Sequence, residues 1–346
     1  MAHRTSRVAA IVLGGVVVAS ALTACGPERA ELGAKTFSRS VIEGTTGTVK
    51  LPTGSLDLVV TEPRDELTDR EAKPRRAPDG GSFVGLSWDF SPPARTATSA
   101  YVSRRRPQAA EVTLISDGKR YPIGEPYDAG NQVGDDTRSS SWWVAVAGDG
   151  EDLSVEVSFF GVRQLFDVAT GKTLSGGAAP LYAPPPAVPV APSCATEKPS
   201  GPFPRPEYDS FTCDIDVLGT EPFVDEVGWA HVGNTWAILS ISTAVNGPIR
   251  WDDGTTEVEF DKIETFGWSA AVNDLPASVI VDNTHRDDDG IDNAVVAVEV
   301  PAGHPAYLVL RTWYRSKAAV PGSPDVPHPP TVGVSFTRDI LLTPAP

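Results

Sequence analysis

Ser154-Val155-Glu156-Val157-Ser158-Phe159 alternates polar and apolar residues without a break. Val155, Val157 and Phe159 fall on one side and their polar partners on the other, the period-two signature of a half-buried strand. Working outward, strand signals return at Val49 and Leu51, Leu56 to Thr61, Phe83 to Phe90, Val112 to Ile115, Arg120 to Ile123, Trp142 to Ala147 and Gln164 to Val168. Arg64 to Gly81 mixes charges with Pro and Gly and reads as a loop. No sustained helical period with caps occurs. Many short strands separated by turn signals predict an all-β chain built of sandwiches.

Ala179 to Pro206 interrupts this pattern with Pro184-Pro185-Pro186 and seven further prolines. Such a segment favours extended polyproline geometry and acts as a semi-rigid spacer. Strand signals resume at Phe211 to Leu218, and from there the second region repeats the first. Leu56 to Pro63 lines up with Ile215 to Pro222, Ser82 to Ser87 with Thr235 to Ser240, and Glu111 to Leu114 with Glu257 to Phe260. Trp143 to Val146 lines up with Val295 to Val298, and Leu153 to Phe159 with Ala306 to Thr312. Five matches in one order point to a tandem duplication. The expected layout is a first domain over 45–183, a Pro-rich linker over 184–206 and a second domain over 207–346.

The N-terminus is different in kind. His3, Arg4 and Arg7 precede an apolar run from Val8 to Ala24 that holds no acidic residue, which is a secretory signal pattern. A spanning helix needs about 20 apolar residues, and this run is shorter and ends in small residues and one cysteine. Leu22-Thr23-Ala24-Cys25 resembles the lipoprotein box of bacterial envelope proteins. That resemblance implies removal of residues 1–24, a diacylglyceryl group on Cys25 and a place on the outer face of the bacterial cytoplasmic membrane. Each buried CH₂ contributes about 0.8 kcal/mol, so two acyl chains anchor a chain that inserts no protein. Residues 25–44, polar at their start and without apolar periodicity, read as a flexible tether.

Charge and cysteine count fit an exported protein. The net charge of −16 becomes −18 once Arg4 and Arg7 leave with the signal, and so acidic a chain repels nucleic-acid phosphate. With Cys25 lipidated, Cys194 and Cys213 remain as an even pair in an oxidising space, and a disulfide between them is expected. Closing that loop contributes about 3 kcal/mol in the chain-entropy treatment. The bridge would fasten the end of the linker to the second domain and fix the angle between domains. Two buried thiols are the alternative.

The chain also resembles a loosely defined family of secreted immunoglobulin-like domains found in bacterial lipoproteins. The likeness rests on Gly233-Asn234-Thr235-Trp236 and on Val298-Glu299-Val300-Pro301-Ala302-Gly303 leading to Leu308-Val309-Leu310. The first region fits less well, because Ala147-Gly148-Asp149-Gly150 stands where the Pro turn would be. The resemblance implies two tandem immunoglobulin-like β-sandwich domains and no catalytic residues.

Chemistry-bearing motifs are few. Gly267-Trp268-Ser269-Ala270-Ala271 lacks the second glycine and the following helix of a nucleophile elbow. Ser116-Asp117-Gly118-Lys119 reads as a hairpin turn rather than a catalytic Ser-x-x-Lys. His231, His285, His304 and His328 lack the close spacing of a metal site. Asp287, Asp289 and Asp292 cluster hard oxygen ligands around Gly290 as calcium loops do, with a solvated acidic turn as the plainer reading. Arg104, Arg105 and Arg106, preceded by Tyr101, form a basic island able to meet envelope phosphates, or a solvated loop. The expectation is a lipid-anchored, non-enzymatic envelope protein that binds an envelope protein or polymer and no nucleic acid. No cofactor is expected beyond the calcium of the acidic loop. Two alternatives stand beside it: an envelope enzyme with catalysis in its acidic loops, and the substrate-binding lipoprotein of an importer.

Overall fold

The computed structural model describes residues 28–36, 42–68, 71–94, 96–102, 110–125, 138–150, 152–183, 210–246, 249–252, 257–260, 262–273, 275–283, 292–317 and 331–342. They are mostly β-strand, as the alternation predicts. The longer strands of the first half are β1 (Thr45–Leu51), β2 (Gly54–Val60), β3 (Gly81–Ser91), β4 (Glu111–Ser116), β5 (Lys119–Gly124), β6 (Arg138–Ala147), β7 (Ser154–Phe159) and β8 (Val162–Asp167), with a short β9 (Lys172–Leu174). Those of the second half are β10 (Ser210–Glu221), β11 (Asn234–Asn246), β12 (Lys262–Val272), β13 (Ser278–Asn283), β14 (Asp292–Pro301), β15 (Ala306–Lys317) and β16 (Thr331–Leu342).

In the first half, one five-stranded sheet runs Lys35–Thr36, β6, β3, β2, β1 and a second runs β9, β8, β7, β4, β5. One hydrophobic core takes side chains from both, among them Leu58, Val84 and Val144 from the first sheet and Leu114, Val155 and Phe166 from the second. In β7 the buried residues are Val155, Val157 and Phe159, as the alternation over 154–159 requires. Its Glu156 faces outward and accepts a 2.6 Å bond from Arg120. Asp117 (φ 48°) and Gly118 (φ 72°) close the β4–β5 hairpin in the left-handed conformation that such two-residue turns need.

The second half repeats the neighbour relations of six of these strands. Its sheets run β10, β11, β14, β13 and Leu275–Pro276, β12, β15, β16, and they share a core that includes Leu239, Val296, Leu308 and Phe336. The neighbours β2, β3 and β6 match β10, β11 and β14, while β4, β7 and β8 match β12, β15 and β16. Four of the five sequence matches therefore join equivalent strands. The fifth is corrected: Glu257–Phe260 pairs with Ile249–Asp252 in a two-stranded ribbon, and β12 holds the position equivalent to β4. The match also holds for strands rather than single residues. Val84 pairs with Val144, whereas Ala237, aligned with Val84, pairs with Val298, two places beyond the aligned Val296. A shift of two residues keeps every side chain on its own face, so the alternation tolerates it.

Two further expectations change. The Arg64 to Gly81 stretch is not simply a loop, because Glu66–Thr68 and Pro74–Arg76 pair as a short hairpin. Part of the expected tether is bound to the sheets. Glu28–Arg29 runs parallel to Pro74–Arg76, and Lys35–Thr36 adds an edge strand to β6. The Gly33 N–H donates to the Ala145 carbonyl at 2.7 Å, and Lys35 Nζ donates to the Ile123 carbonyl at 3.0 Å. An edge strand is held by backbone bonds, which leave no apolar period to read.

Gly47 on β1 sits against the fully buried Phe166 ring, where a Cβ would lie 2.1 Å from the nearest ring carbon. Gly47→Ala is therefore expected to destabilise the first half by about 1–3 kcal/mol through overpacking. Chemical denaturation checks this, and an unchanged midpoint would refute the close approach.

Candidate functional site

The best-built feature outside the two cores is the contact between the halves, and it begins at a turn. β7 and β8 are joined by Phe160 (φ 47°) and Gly161 (φ 78°), the backbone of a two-residue hairpin turn that favours Asn-Gly. A bulky residue in this conformation costs on the order of 1–3 kcal/mol and persists only where packing compensates. The compensation comes from the other half. The Phe160 ring lies 4.8 Å, centroid to centroid, from Phe223, which follows β10 on the short strand Phe223–Val224. Phe223 is 1% exposed and belongs to the core of the first half, with the Phe159 ring 5.1 Å away. Trp229, on the strand Gly228–Trp229 that pairs with Phe223–Val224, meets Phe159 edge-on at 6.2 Å. Its Nε1–H donates to the Phe159 carbonyl at 3.1 Å, so the indole is both packed and satisfied.

A reciprocal contact runs the other way. The four-residue helix Ser99–Val102 places Tyr101 against a cluster of the second half formed by Val224, Ile238, Val295 and Ala297. The Asp225 N–H donates to the Tyr101 carbonyl at 3.4 Å. Just before the helix, buried Thr98 donates its hydroxyl to Glu221 Oε1 at 2.5 Å. Its methyl stands 2.7 Å from where a Cβ on Gly219 would lie, so this approach needs glycine. Burial pushes the Glu221 carboxyl above its ordinary pKa, and the Thr98 bond offsets part of that rise.

The resemblance motifs of the second half meet at one end of it. The Ala302 N–H donates to the Gly233 carbonyl at 3.0 Å, with Gly233 at φ 88° and Gly303 at φ 72°. The first half closes in the same way with other residues, since the Gly148 N–H donates to the Gly80 carbonyl at 2.9 Å. Beside the Gly233 turn, exposed His231 holds Glu299 through Nδ1 at 2.9 Å and through its backbone N–H at 2.6 Å, and Asn234 donates at 3.1 Å. Burial alone would raise the Glu299 carboxyl, and these hydrogen bonds outweigh it and hold its pKa low.

An open cleft of about 650 Å³ lies between the Glu66–Thr68 hairpin and the start of β3, lined by Arg29, Asp65, Glu66, Arg76, Asp79 and Asp149 among others. Arg29 is paired with Asp79, and Arg76 with Glu66. These charges are spent on one another in water, where each pair is worth about 0–1 kcal/mol.

Of the residues expected to act, Cys213 lies on β10 and is buried in the second core. Asp292 opens β14 opposite Thr243. Cys25, Cys194, Arg104, Arg105, Arg106, Asp287 and Asp289 lie outside the described residues, as do the linker and the signal segment. Tyr101 is described and serves the contact between halves. Ser116 is buried and donates to the Ala147 carbonyl at 3.1 Å, and Gly267 to Ala271 run inside β12 rather than at a turn. No group of three metal-ligating side chains occurs among the described residues. No protein-family model and no curated protein matches the chain.

Sequence reading missed Thr98, Phe160, Glu221, Phe223 and Trp229. One signal was present: Phe160-Gly161 stands between two strand patterns where Asn-Gly is the usual turn. Phe223→Ala is expected to destabilise the first half, to which that residue does not belong in sequence, by about 3–5 kcal/mol. Hydrogen exchange resolved along the chain checks this; lost protection confined to the second half would refute it.

Proposed function

We propose that this chain is a lipid-anchored, non-enzymatic protein of the outer face of the bacterial cytoplasmic membrane. It presents two tandem immunoglobulin-like β-sandwich domains, over 45–183 and 207–346, to an envelope protein or polymer. The strand order of the second half carries the reading of the domains. In a constant-type immunoglobulin sandwich, strands A, B, E and D form one sheet and C, F and G the other. Taking β10 to β16 as A to G turns the two observed orders into A-B-E-D and C-F-G. The first half fits the same scheme, with β2, β3 and β6 as A, B and E and with β4, β7 and β8 as C, F and G. Here β5 flanks C in place of a D strand beside E. Such a scaffold holds its loops at the two ends, where binding residues can be displayed on a rigid frame.

The anchor rests on Leu22-Thr23-Ala24-Cys25. Cys25→Ser removes the acyl acceptor, so the variant should leave the membrane fraction or remain unprocessed. A mature-length variant that still sediments with membranes would overturn the anchor. The Cys194–Cys213 bridge is supported by the place of Cys213 on the first strand of the second domain, directly after the Pro-rich segment. Mass spectrometry of the non-reduced protein should recover one peptide pair joined through these residues, and two alkylatable thiols would overturn it.

A further inference from the structure

We propose that the first half stands directly at the lipid surface, with the tip of its Glu66–Arg76 hairpin foremost and the second half turned away, held so by its own N-terminal segment. This placement rests on the reading of Cys25 as the lipid-bearing residue. From Cys25 the chain has three residue steps to Glu28, which at full stretch span about 11 Å. An unbound segment over 25–44 would reach about 70 Å. The difference is decided by how firmly residues 28–36 are fixed.

They are fixed at several points. The Ala30 N–H donates to the Arg76 carbonyl at 2.8 Å, and the Ala34 carbonyl accepts the Ala145 N–H at 3.0 Å, in addition to the Gly33 and Lys35 bonds. Ala30 and Ala34 pack against the cluster of Phe83, Trp143 and Ala145, and Glu28 pairs with Arg75 at 3.1 Å. The register gives the direction of entry. Glu28–Arg29 runs parallel to Pro74–Arg76 with Glu28 opposite Arg75, so the chain arrives from the Pro74 side. That is the side on which the hairpin turns back, and Glu71, Ala72, Lys73 and Pro74 are all exposed there. Glu71 and Lys73 are ion-paired at 2.7 Å, so the pair brings no net charge to lipid headgroups, and the short reach does the holding.

The second half lies at the other end. The hairpin borders a cleft lined also by Gly148 and Asp149, and from the loop that holds these two, β7 runs from Ser154 to Phe159. Its Phe159 end carries the contact with Phe223 and Trp229. The length of β7, about 17 Å, therefore separates the hairpin end from the contact between the halves. The second half is thus presented outward.

A benzophenone side chain placed at Lys73, or at exposed Thr337 on β16, in the full chain expressed into native membranes tests this by photocrosslinking and mass spectrometry of the labelled peptide. The expected result is a lipid adduct at Lys73 and none at Thr337. Gly33→Pro removes the N–H bonded to Ala145 and cannot hold φ 80°, so it should free the segment and lose the Lys73 adduct while the protein stays with the membranes. No adduct at Lys73 in membrane-bound protein, equal adducts at both sites, or a Gly33→Pro variant that keeps the wild-type adduct would each overturn the placement and leave the anchor standing. Protein absent from the membrane fraction would overturn the anchor, and the placement with it.

Discussion

A β-sheet with one apolar face is unstable until that face is covered, and this constraint organises the chain. In the first half Val155 and Phe166 of one sheet share a hydrophobic core with Leu58 and Val84 of the other. In the second, Leu308 and Phe336 share one with Leu239 and Val296. Neighbouring strands within a sheet satisfy one another's backbone hydrogen bonds, and the chain passes from one sheet to the other only at some connections, as between β3 and β4 and between β6 and β7.

The same constraint extends to the ends of the sheets. The Phe159 end of the first core is closed by Phe223, Trp229 and the Phe160 turn rather than by residues of its own region alone. The outer face of the second half's β11 and β14 is covered in turn by Tyr101. Each half thus lends a side chain to the other. The strained turn at Phe160 makes sense only in that setting, because an isolated hairpin would favour Asn-Gly there.

The strands were legible because burial on one face writes a period of two into the residues. The pairing of β2, β3 and β6 with their counterparts was legible as repeated apolar strings. The edge strand Lys35–Thr36 and the hairpin at Glu66–Thr68 were not, since strands of two and three residues paired through the backbone are too short to show an alternating pattern. The contact between halves was hidden for a related reason. Thr98, Glu221 and Phe223 look ordinary along the chain, and only their meeting over 123 positions gives them a role.

The all-β class, the position of most long strands and the inward side chains of β7 follow from local alternation, which acts over neighbouring residues. The sequence also carried the expectation of a lipid anchor at Cys25, a local motif read by an enzyme rather than by the fold. Which strands share a sheet, that Glu257–Phe260 is not the counterpart of β4, and that Glu221 is a half-buried carboxyl bonded to Thr98 emerge only on folding. These depend on distances between segments far apart in the chain, and hydrogen bonding and desolvation act only once folding has brought the groups together.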